Sequence, residues 1–418
     1  MIKNEILNKY NILGKNIEFN PEKDYKSKKN EYMEIQINKN IDNIQNNNKN
    51  ENKNNKTRNP GVDLIRLISM YGIIINHLLY HGNGLNKYLK YIKELKFFHI
   101  ILFWHNNGFA LISGIVGYKT NKYSNLLYLW ISVFFYSVGL HIYFQLFIKD
   151  SIIEESISVE FFPIIFHRYW YFTCYFGMYL FLPVINKGIT ILRKSEFKLI
   201  VISTLGIFSF WRQVKNPKND VFHLNGGFSV LWLLIVYITG AYIGKYRIEY
   251  KGIKSFIFCF TCLLIYSFSS FLFYLSFNNK LYIGNGYFQN KIIMLLNRIM
   301  AENYNSPIKI IQSISITLIF LQIKYNNHLS RIISFFGRFV FGIYLLHDNK
   351  LVRQNILFKI FKNDPNNLNL YSTIILFLIK SLKIFLICIF IEYIRHLLFN
   401  ILRIRKLCIY LEEFIIKY

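Results

Sequence analysis

Charged residues are scarce in this chain of 418 residues, and their scarcity excludes an ordinary soluble protein. Charged side chains make up 17% of the sequence and hydrophobic ones 53%, whereas a soluble globular domain carries about 25% charged residues. Much of the folded surface must therefore face lipid rather than water. The composition indicates an integral membrane protein.

Cysteine is scarce as well. The five cysteines lie deep in apolar sequence, which excludes a disulfide framework. Cys259 and Cys262 form a C-x-x-C pair, but no second pair completes a zinc site, so packing is the better interpretation. The sequence also lacks an H-E-x-x-H motif, a carboxylate cluster and a glycine-rich phosphate loop, and we expect no metal.

The net charge of +27 is distributed in a way that argues against nucleic-acid binding. The first 60 residues hold 12 Lys and Arg against 8 Asp and Glu, a net of +4, so the remaining +23 belongs to the hydrophobic body. There the basic residues lie mostly in short loops, where they set the orientation of membrane spans. The expected partner is the lipid bilayer, and no nucleic acid is expected.

Three regions are predicted along the chain. Residues 1–59 are polar and rich in Asn and Lys, and such a segment buries too little apolar area to become ordered, so we predict a disordered tail. Residues 60–400 predict a transmembrane domain. Residues 401–418 predict a basic amphipathic tail that lies along the membrane surface.

The fold class predicted for the central region is all-α, a polytopic bundle of about ten transmembrane helices. A span needs roughly 20 mostly apolar residues to cross the hydrocarbon core. The candidates are residues 62–80, 98–118, 126–148, 169–185, 197–211, 228–243, 256–277, 308–323, 332–346 and 371–392.

Loop charge predicts that both termini are cytoplasmic, because Lys and Arg are concentrated in cytoplasmic loops. With the N-terminus inside, a basic loop containing Arg193 and Lys194 falls inside and an acidic loop containing Glu154 and Glu155 falls outside. The first loop contradicts this orientation. It would be external, yet it holds four lysines: Lys87, Lys90, Lys93 and Lys96.

Two polar residues stand out in the first predicted span. His77 follows Arg66 by 11 residues, which corresponds to three helical turns plus roughly 20° and to about 16 Å along the axis. Both side chains therefore share one face of the helix. Because charged groups are costly in lipid, that face is expected to line a cavity. The alternative is that Arg66 extends to the membrane surface and His77 bonds a neighbouring helix.

The pair suits acyl transfer. A guanidinium presents a fork of donors that matches phosphate, such as the phosphates of a coenzyme A thioester. An imidazole can remove the proton of an acceptor hydroxyl, or it can accept the acyl group itself. The residues leave these two routes open.

The stretch RNPGVDLIRLISMYGIIINHLLYHG resembles the opening helix of acyltransferase family 3, multi-pass enzymes that O-acylate surface polysaccharides and related acceptors. That family's signature is an arginine, ten residues and a histidine, met here by Arg66 and His77. Four later stretches resemble the family in the same order: NNGFALISGIVGYKT, HRYWYFTCYFGMYLFLPVI, GGFSVLWLLIVYITGAYIGKY and FFGRFVFGIYLLHDNKLVR. The resemblance covers most of residues 59–400.

This resemblance implies acetyl-CoA or another acyl-CoA as the co-substrate, His77 as the catalytic residue, and Arg66 as a catalytic or coenzyme-binding residue. Many members of the family carry two arginines in the loop after the second helix. This chain has Lys119 and Lys122 there, and lysine attracts phosphate but lacks the bidentate geometry of arginine.

Further candidate residues would bind the acceptor or line the same cavity. His347, Asp348 and Arg353 either orient an acceptor or fasten two helices together. The other candidates lie at the start of two predicted spans: Trp104, His105, Asn106, Asn107 and Trp170.

The sequence thus predicts a membrane-embedded acyltransferase that moves an acyl group, expected to be acetyl, from acyl-CoA to a hydroxyl of a carbohydrate or glycolipid. One alternative is a transporter or flippase for lipid-linked sugars, since ten helices with buried charges also describe many carriers. Another is a noncatalytic scaffold related to the enzymes.

Overall fold

The computed structural model describes residues 59–120, 122–211, 220–246, 252–277 and 303–417. The predicted disordered tail lies outside the described residues except for Asn59. Every regular element within the described ranges is a helix. The all-α prediction is therefore confirmed.

The helices are numbered in chain order. The part before the first long gap contains α1 (Pro60–Tyr80), α2 (Gly84–Lys87), α3 (Ile92–Leu102), α4 (His105–Gly117), α5 (Tyr123–Phe147), α6 (Ile157–Glu160), α7 (Trp170–Ile191) and α8 (Lys194–Leu205). The later described ranges contain α9 (Val230–Lys245), α10 (Ile253–Phe277), α11 (Pro307–Gln322), α12 (Asn327–Phe336), α13 (Val340–His347), α14 (Lys350–Asn355), α15 (Leu370–Ile401) and α16 (Ile404–Lys417).

Six helical segments of the described chain are long and apolar enough to cross a membrane: Pro60–Tyr80, Leu89–Gly117, Tyr123–Phe147, Trp170–Ile191, Asn327–His347 and Leu370–Ile401. Shorter apolar helices occupy Val230–Lys245, Ile253–Ile265 and Pro307–Gln322. Each of the ten predicted spans overlaps a helix. The chain is a multi-pass helical membrane protein, and the number ten stays a prediction.

The helix that carries the predicted site residues is central to the bundle. Asn59 begins α1 by accepting the Gly61 N–H at 2.9 Å, and Pro60 fits the first turn, where its missing N–H is not needed. Helix α1 then packs against α3, α4, α11, α12, α13 and α15. Its polar side chains are therefore surrounded by protein.

The second predicted span is broken, contrary to the single helix expected from its sequence. It divides at Phe103 and Trp104 into α3 and α4, which interrupts the regular hydrogen bonding of the helical backbone. Helix α11 supplies side-chain donors at the break: Lys309 Nζ donates to Ile100 O at 2.5 Å, Gln312 Nε2 to Ile101 O at 3.0 Å, and Ser313 Oγ to Trp104 O at 3.0 Å. The break persists because another helix satisfies it.

Small residues allow α4 and α9 to pack very closely. A Cβ atom added to Gly114 would overlap the Tyr237 carbonyl of α9, and one added to Gly240 would overlap the Leu111 carbonyl of α4. Glycine at such positions lets two membrane helices approach backbone to backbone. The contact fixes α4, and with it the residues at its first turn.

Two charged pairs in or beside α15 are structural. Glu392 and Arg395 are buried and pair at 2.5 Å, and Glu392 also accepts the Tyr136 hydroxyl of α5 at 2.6 Å. Lys380 pairs with Asp364 at 2.5 Å. These partners neutralise charges that would otherwise be costly within the apolar helix.

The C-terminal segment forms helix α16, which crosses the start of α5. Glu412 accepts the Tyr123 N–H at 2.6 Å, and Arg405 donates to Asn125 at 3.1 Å. Tyr410 and Ile415 on the same helix are exposed. The predicted amphipathic tail is thus a helix, and its position along a membrane surface remains a prediction.

Candidate active site

Helix α1 carries both predicted site residues on one side. The helix is unbroken from Pro60 to Tyr80, so Arg66 and His77 differ by about 20° around the axis and are separated by about 16 Å along it. Both are largely enclosed, since the Arg66 side chain is 26% exposed and the His77 side chain 19%. One helix therefore presents two separate chemical settings, one near each end.

The setting at the end of α1 is called here the His77 cluster: His77, His81, His347, Asp348 and Arg353. The His77 ring centroid lies 5.0 Å from that of His347 and 5.1 Å from that of His81. The end of α1 and the last residues of the family-like motif at the end of α13 are far apart in sequence. The packing of α13 on α1 brings the two predicted motifs together.

Asp348 lies between His77 and Arg353. It is 3% exposed, and its Oδ1 is 3.5 Å from His77 Nδ1 and 3.3 Å from Arg353 Nη1. The His77 contact is longer than a hydrogen bond, but contacts of catalytic groups are often long before substrate binds. With Nδ1 facing a carboxylate, Nε2 is the ring nitrogen left for a reacting group, as in other His–Asp pairs.

His347 is fixed by its own helix. Its Nδ1 lies 2.6 Å from Ile343 O, and because a carbonyl only accepts, Nδ1 carries the proton. The opposite nitrogen, Nε2, is buried and has no hydrogen-bond partner among the described residues. This tautomer offers a buried acceptor beside the His77 ring.

Arg353 joins two members of the cluster. Its Nη1 is 3.3 Å from both Asp348 Oδ1 and His81 Nε2. Burial raises the pKa of the Asp348 carboxyl, and the Arg353 guanidinium opposes that rise. Desolvation and then Arg353 lower the pKa of His81, while Asp348 opposes that shift. The arrangement favours a neutral His81 beside an Arg353–Asp348 pair.

Helix α14, which bears Arg353, is held by an acidic clasp consisting of Glu154, Glu155, Glu160, Arg168 and Lys350. Lys350 Nζ pairs with Glu155 at 2.5 Å and with Glu154 at 2.9 Å. Arg168 pairs with Glu155 and with the buried Glu160. The clasp connects the segment before α7 to α14.

Helix α14 is also fastened by Asn355. This residue accepts the Ile152 N–H at 2.7 Å and donates to the Ile152 carbonyl at 3.1 Å. Lys350 and Arg353 lie three residues apart on the helix and are therefore neighbours on its surface. The clasp and Asn355 together position Arg353 against Asp348.

Near the start of α1, Arg66 has a simpler setting. Its Nη1 donates to Asp63 Oδ1 at 3.0 Å, and Asp63 is fully buried. Gly337, between α12 and α13, makes room for this carboxylate, because a Cβ added there would lie 2.7 Å from Asp63 Cβ. The pair positions the Arg66 fork on the helix face that leads to His77.

The two predicted loop lysines are exposed in the connection between α4 and α5. Lys119 Nζ lies 5.8 Å from the Tyr118 ring centroid. The Lys122 carbonyl accepts the Tyr179 hydroxyl at 2.8 Å, which attaches the loop to α7. Coenzyme binding by Lys119 and Lys122 stays a prediction.

Four rings form an aromatic platform: Phe103, Trp170, Phe228 and Tyr304. Tyr304 stacks on Phe103, with centroids 4.2 Å apart and planes 2° apart, and on Trp170 at 5.8 Å and 18°. Phe228 lies 4.5 Å from Trp170 and 4.9 Å from Tyr304. All four rings are partly exposed. Tyr304 of the platform interacts electrostatically with Asp348 of the His77 cluster.

The predicted asparagines converge on the same platform. Asn107 is buried; its Nδ2 donates to the Tyr304 carbonyl at 2.8 Å, and its Oδ1 accepts the Trp232 Nε1–H at 3.0 Å. Asn106 hydrogen-bonds with the Tyr304 side chain. Both asparagines therefore support a ring that could contact substrate, and direct contact of either with substrate stays a prediction.

His105 and Trp104 form the wall between α4 and α1. Both are buried, and their ring centroids lie 4.4 Å apart. The His105 ring sits directly over Gly72 of α1, where a Cβ atom would overlap it. The two rings therefore lie at the contact between α4 and α1.

Several residues of this region were not singled out from the sequence. His81, the residue directly after α1, follows His77 by one helical turn, and that spacing alone could have suggested it. Tyr304 and Phe228 precede helices in polar stretches and resemble ordinary loop residues. Within the described ranges, no three His, Cys, Asp or Glu side chains are arranged to hold a metal ion.

A multi-pass helical bundle with an enclosed histidine, an adjacent carboxylate and an arginine on the same helix face has the features of a membrane acyltransferase. The family model described as "Acyltransferase domain" matches residues 59–393, which is most of the chain. The chain therefore belongs to acyltransferase family 3. The comparison with curated proteins and the comparison with solved structures each found no match.

Proposed function

We propose that the chain transfers an acyl group, expected to be acetyl, from acyl-CoA to a hydroxyl of a carbohydrate or glycolipid. The observation that carries this proposal is the His77 cluster, in which a buried carboxylate faces Nδ1 of an enclosed imidazole. This arrangement suits general-base catalysis, because it orients Nε2 and stabilises the imidazolium that forms when the base takes a proton.

In the direct route, His77 Nε2 takes the proton of the acceptor hydroxyl as its oxygen attacks the thioester carbonyl. The C–S bond then breaks, and the imidazolium returns the proton to the departing thiolate. In the relay route, His77 Nε2 attacks the thioester carbonyl and the C–S bond breaks, which releases the thiolate and leaves an acyl-imidazolium. The acceptor oxygen then displaces the imidazole from the acyl group, and the hydroxyl proton goes to the thiolate. Atoms and charge balance in both routes.

Arg66 supports the donor side of the proposal. Its guanidinium lies about 16 Å from His77 along the same helix face, a span that an extended pantetheine arm can cover. A phosphate of the coenzyme held by Arg66 would therefore leave the thioester within reach of the imidazole. Asp63 keeps the guanidinium in position through its 3.0 Å contact.

The aromatic platform supports a carbohydrate acceptor. Sugar rings pack their C–H faces on aromatic side chains, and Trp170 and Tyr304 offer nearly parallel, partly exposed rings, of which Tyr304 interacts electrostatically with Asp348. A sugar on this surface would present its hydroxyl groups toward the His77 cluster.

The test uses purified protein in lipid with labelled acetyl-CoA and a polysaccharide or glycolipid acceptor. We expect His77→Ala to lose transfer by roughly 10²–10⁴-fold, the usual contribution of a general base. His328→Ala is the matched control, since His328 is an exposed histidine of α12, and it should transfer at the wild-type rate.

Equal transfer by His77→Ala and wild type would overturn the site assignment. Movement of lipid-linked sugar without any label transfer would instead favour the transporter. Omitting the acceptor and denaturing the protein rapidly near neutral pH separates the two routes, because only the relay leaves label on His77.

A further inference from the structure

A small basic cavity lies next to the His77 cluster and has no part in the proposed reaction. Its volume is about 160 Å³, and its walls include Asn83, Lys87, Phe358, Lys359, Phe361 and Lys362. Since a water molecule occupies about 30 Å³ in the liquid, the cavity has room for a tetrahedral anion and accompanying water.

Each of the two walls of this cavity follows in sequence from a part of the His77 cluster. One wall follows α1 directly: the Gly82 N–H donates to the His77 carbonyl at 2.9 Å, and Gly82 is itself part of the lining. The other wall begins a few residues after Arg353, at the end of α14. The cavity therefore opens about one helical turn beyond the reacting imidazole.

Three lysines line this cavity, and its lining contains no carboxylate residue. The nearest acidic residue in sequence, Asp364, is already engaged by Lys380 at 2.5 Å. Within the described ranges, Lys87, Lys359 and Lys362 form no ion pair with a carboxylate. Like charges around one small cavity repel each other unless an anion lies between them.

We propose that Lys87, Lys359 and Lys362 form a binding site for a phosphate group. Lysine binds phosphate as a compact point charge with three donors, and several lysines can surround one tetrahedral anion without a fixed geometry. Phe358 is 56% exposed at the edge of the cavity, so an apolar surface adjoins the basic one. A phosphate ester with an attached apolar portion fits both features.

A phosphate site would also explain why the first loop is basic although it is predicted to be external. Lys87 is the first of the four lysines that contradict the orientation predicted from loop charge. If the lysine serves to bind phosphate, its charge is retained for a ligand and carries no information about which side of the membrane it occupies.

The phosphate could come from a lipid headgroup or from a soluble substrate, and the experiment distinguishes these sources. Purified full-length protein is measured without acyl-CoA, so the outcome does not depend on the proposed reaction. In the first arm, thermal unfolding in neutral detergent is followed against sodium pyrophosphate at constant ionic strength. In the second, unfolding is compared in vesicles of phosphatidylcholine with and without phosphatidylglycerol.

The variant is Lys87→Gln/Lys359→Gln/Lys362→Gln. The matched control is Lys90→Gln/Lys93→Gln/Lys149→Gln, which removes three exposed lysines that do not line the cavity. We expect a saturable rise of about 2–4 °C in the unfolding midpoint of wild type and control, and its loss in the cavity variant.

A rise with pyrophosphate identifies a soluble phosphate as the ligand, and a rise only with phosphatidylglycerol identifies a lipid headgroup. The single variant Lys359→Gln, at an exposed position, guards against misfolding and should weaken the response at least threefold. Equal responses of the cavity variant and the control in both arms, or no response of wild type in either, would overturn the proposal.

Discussion

Each end of α1 holds an ionisable group within a membrane helix, and the two groups have different surroundings. Near the start, Arg66 pairs with the buried Asp63 at 3.0 Å. Near the end, His77 lies in a cluster of five ionisable residues drawn from α1, α13 and α14. The first arrangement fixes a charge, whereas the second allows a proton to move.

This contrast indicates that Arg66 and His77 have different roles in the proposed reaction. A paired guanidinium keeps its charge throughout a reaction and is suited to holding a phosphate. An imidazole beside a carboxylate can take up a proton from a reacting hydroxyl and release it again within one reaction cycle. Substitutions at the His77 end should therefore change kcat, and substitutions at the Arg66 end should change KM for acyl-CoA.

Asp348→Asn tests the His77 end and should have the largest effect. We expect kcat to fall by roughly 10²-fold, less than the 10⁴-fold seen for a protease His–Asp pair because the contact here is long, with KM nearly unchanged. The measurement is label transfer at saturating acyl-CoA.

Burial raises the pKa of Asp348, so its carboxylate is lost on acidification earlier than that of an exposed aspartate. The wild-type rate should fall as pH decreases through that raised pKa, and Asp348→Asn should lack this step. Asp364→Asn removes a carboxylate outside the cluster and is the control. An unchanged pH profile in Asp348→Asn would remove the positioning role.

Arg66→Ala tests the other end. Loss of hydrogen bonds to a charged group costs about 1.5–3 kcal/mol, so KM for acyl-CoA should rise roughly tenfold or more while kcat changes less. Arg66→Lys retains the charge without the fork and should give an intermediate KM. Steady-state kinetics over a range of acyl-CoA concentrations measure both, and a loss confined to kcat would contradict the division between the ends.

Gly337→Ala perturbs Arg66 indirectly. The new Cβ would lie 2.7 Å from Asp63 Cβ and 3.0 Å from Asp63 Oδ1, and inserting a methyl group into a packed site typically costs about 1–3 kcal/mol. We expect a lower unfolding midpoint and a KM increase of a few fold, smaller than that of Arg66→Ala. Gly188→Ala is the control, since nothing lies within 4 Å of a Cβ added there.

Glu155→Gln should have the smallest effect, and that effect should depend on pH. The hydrogen bond from Lys350 lowers the pKa of Glu155 from its ordinary value of 4.5, so the folded protein is stabilised above that value and loses this stabilisation as pH falls through the lowered pKa. The variant should therefore unfold slightly earlier than wild type at pH 7, with the difference vanishing in acid.

The acidic clasp is partly exposed, so a difference below about 1 kcal/mol is expected at pH 7. Thermal unfolding between pH 3 and 8 measures it. A difference that persists unchanged at the acidic end would show that Glu155 acts through packing and not through its charge.

The sequence predicted the helical bundle and the position of Arg66 and His77 on one helix because both follow from local spacing. It also grouped His347, Asp348 and Arg353, since they are adjacent in the chain. It did not reveal that Asp348 faces Nδ1 of His77, because that contact depends on how α13 packs on α1.

Two other features depend on distant partners in the same way. The break between α3 and α4 requires donors from Lys309, Gln312 and Ser313, about 200 residues later. The aromatic platform requires Tyr304 to be fixed by its backbone, whose N–H donates to Gly226 O at 2.8 Å. Hydropathy describes each segment separately and carries no signal for either pairing.

Only two residues separate Tyr304 from Pro307, the first residue of α11. Lys309, two residues after Pro307, reaches the break between α3 and α4. Inserting or deleting one residue between Tyr304 and Lys309 would turn that lysine by about 100° and shift it by about 1.5 Å. The Lys309 ammonium group would lose its contact with the Ile100 carbonyl. The Tyr304 ring would at the same time lose its stacking on Phe103. The length of this short connection therefore couples the shape of the acceptor surface to the integrity of a membrane helix.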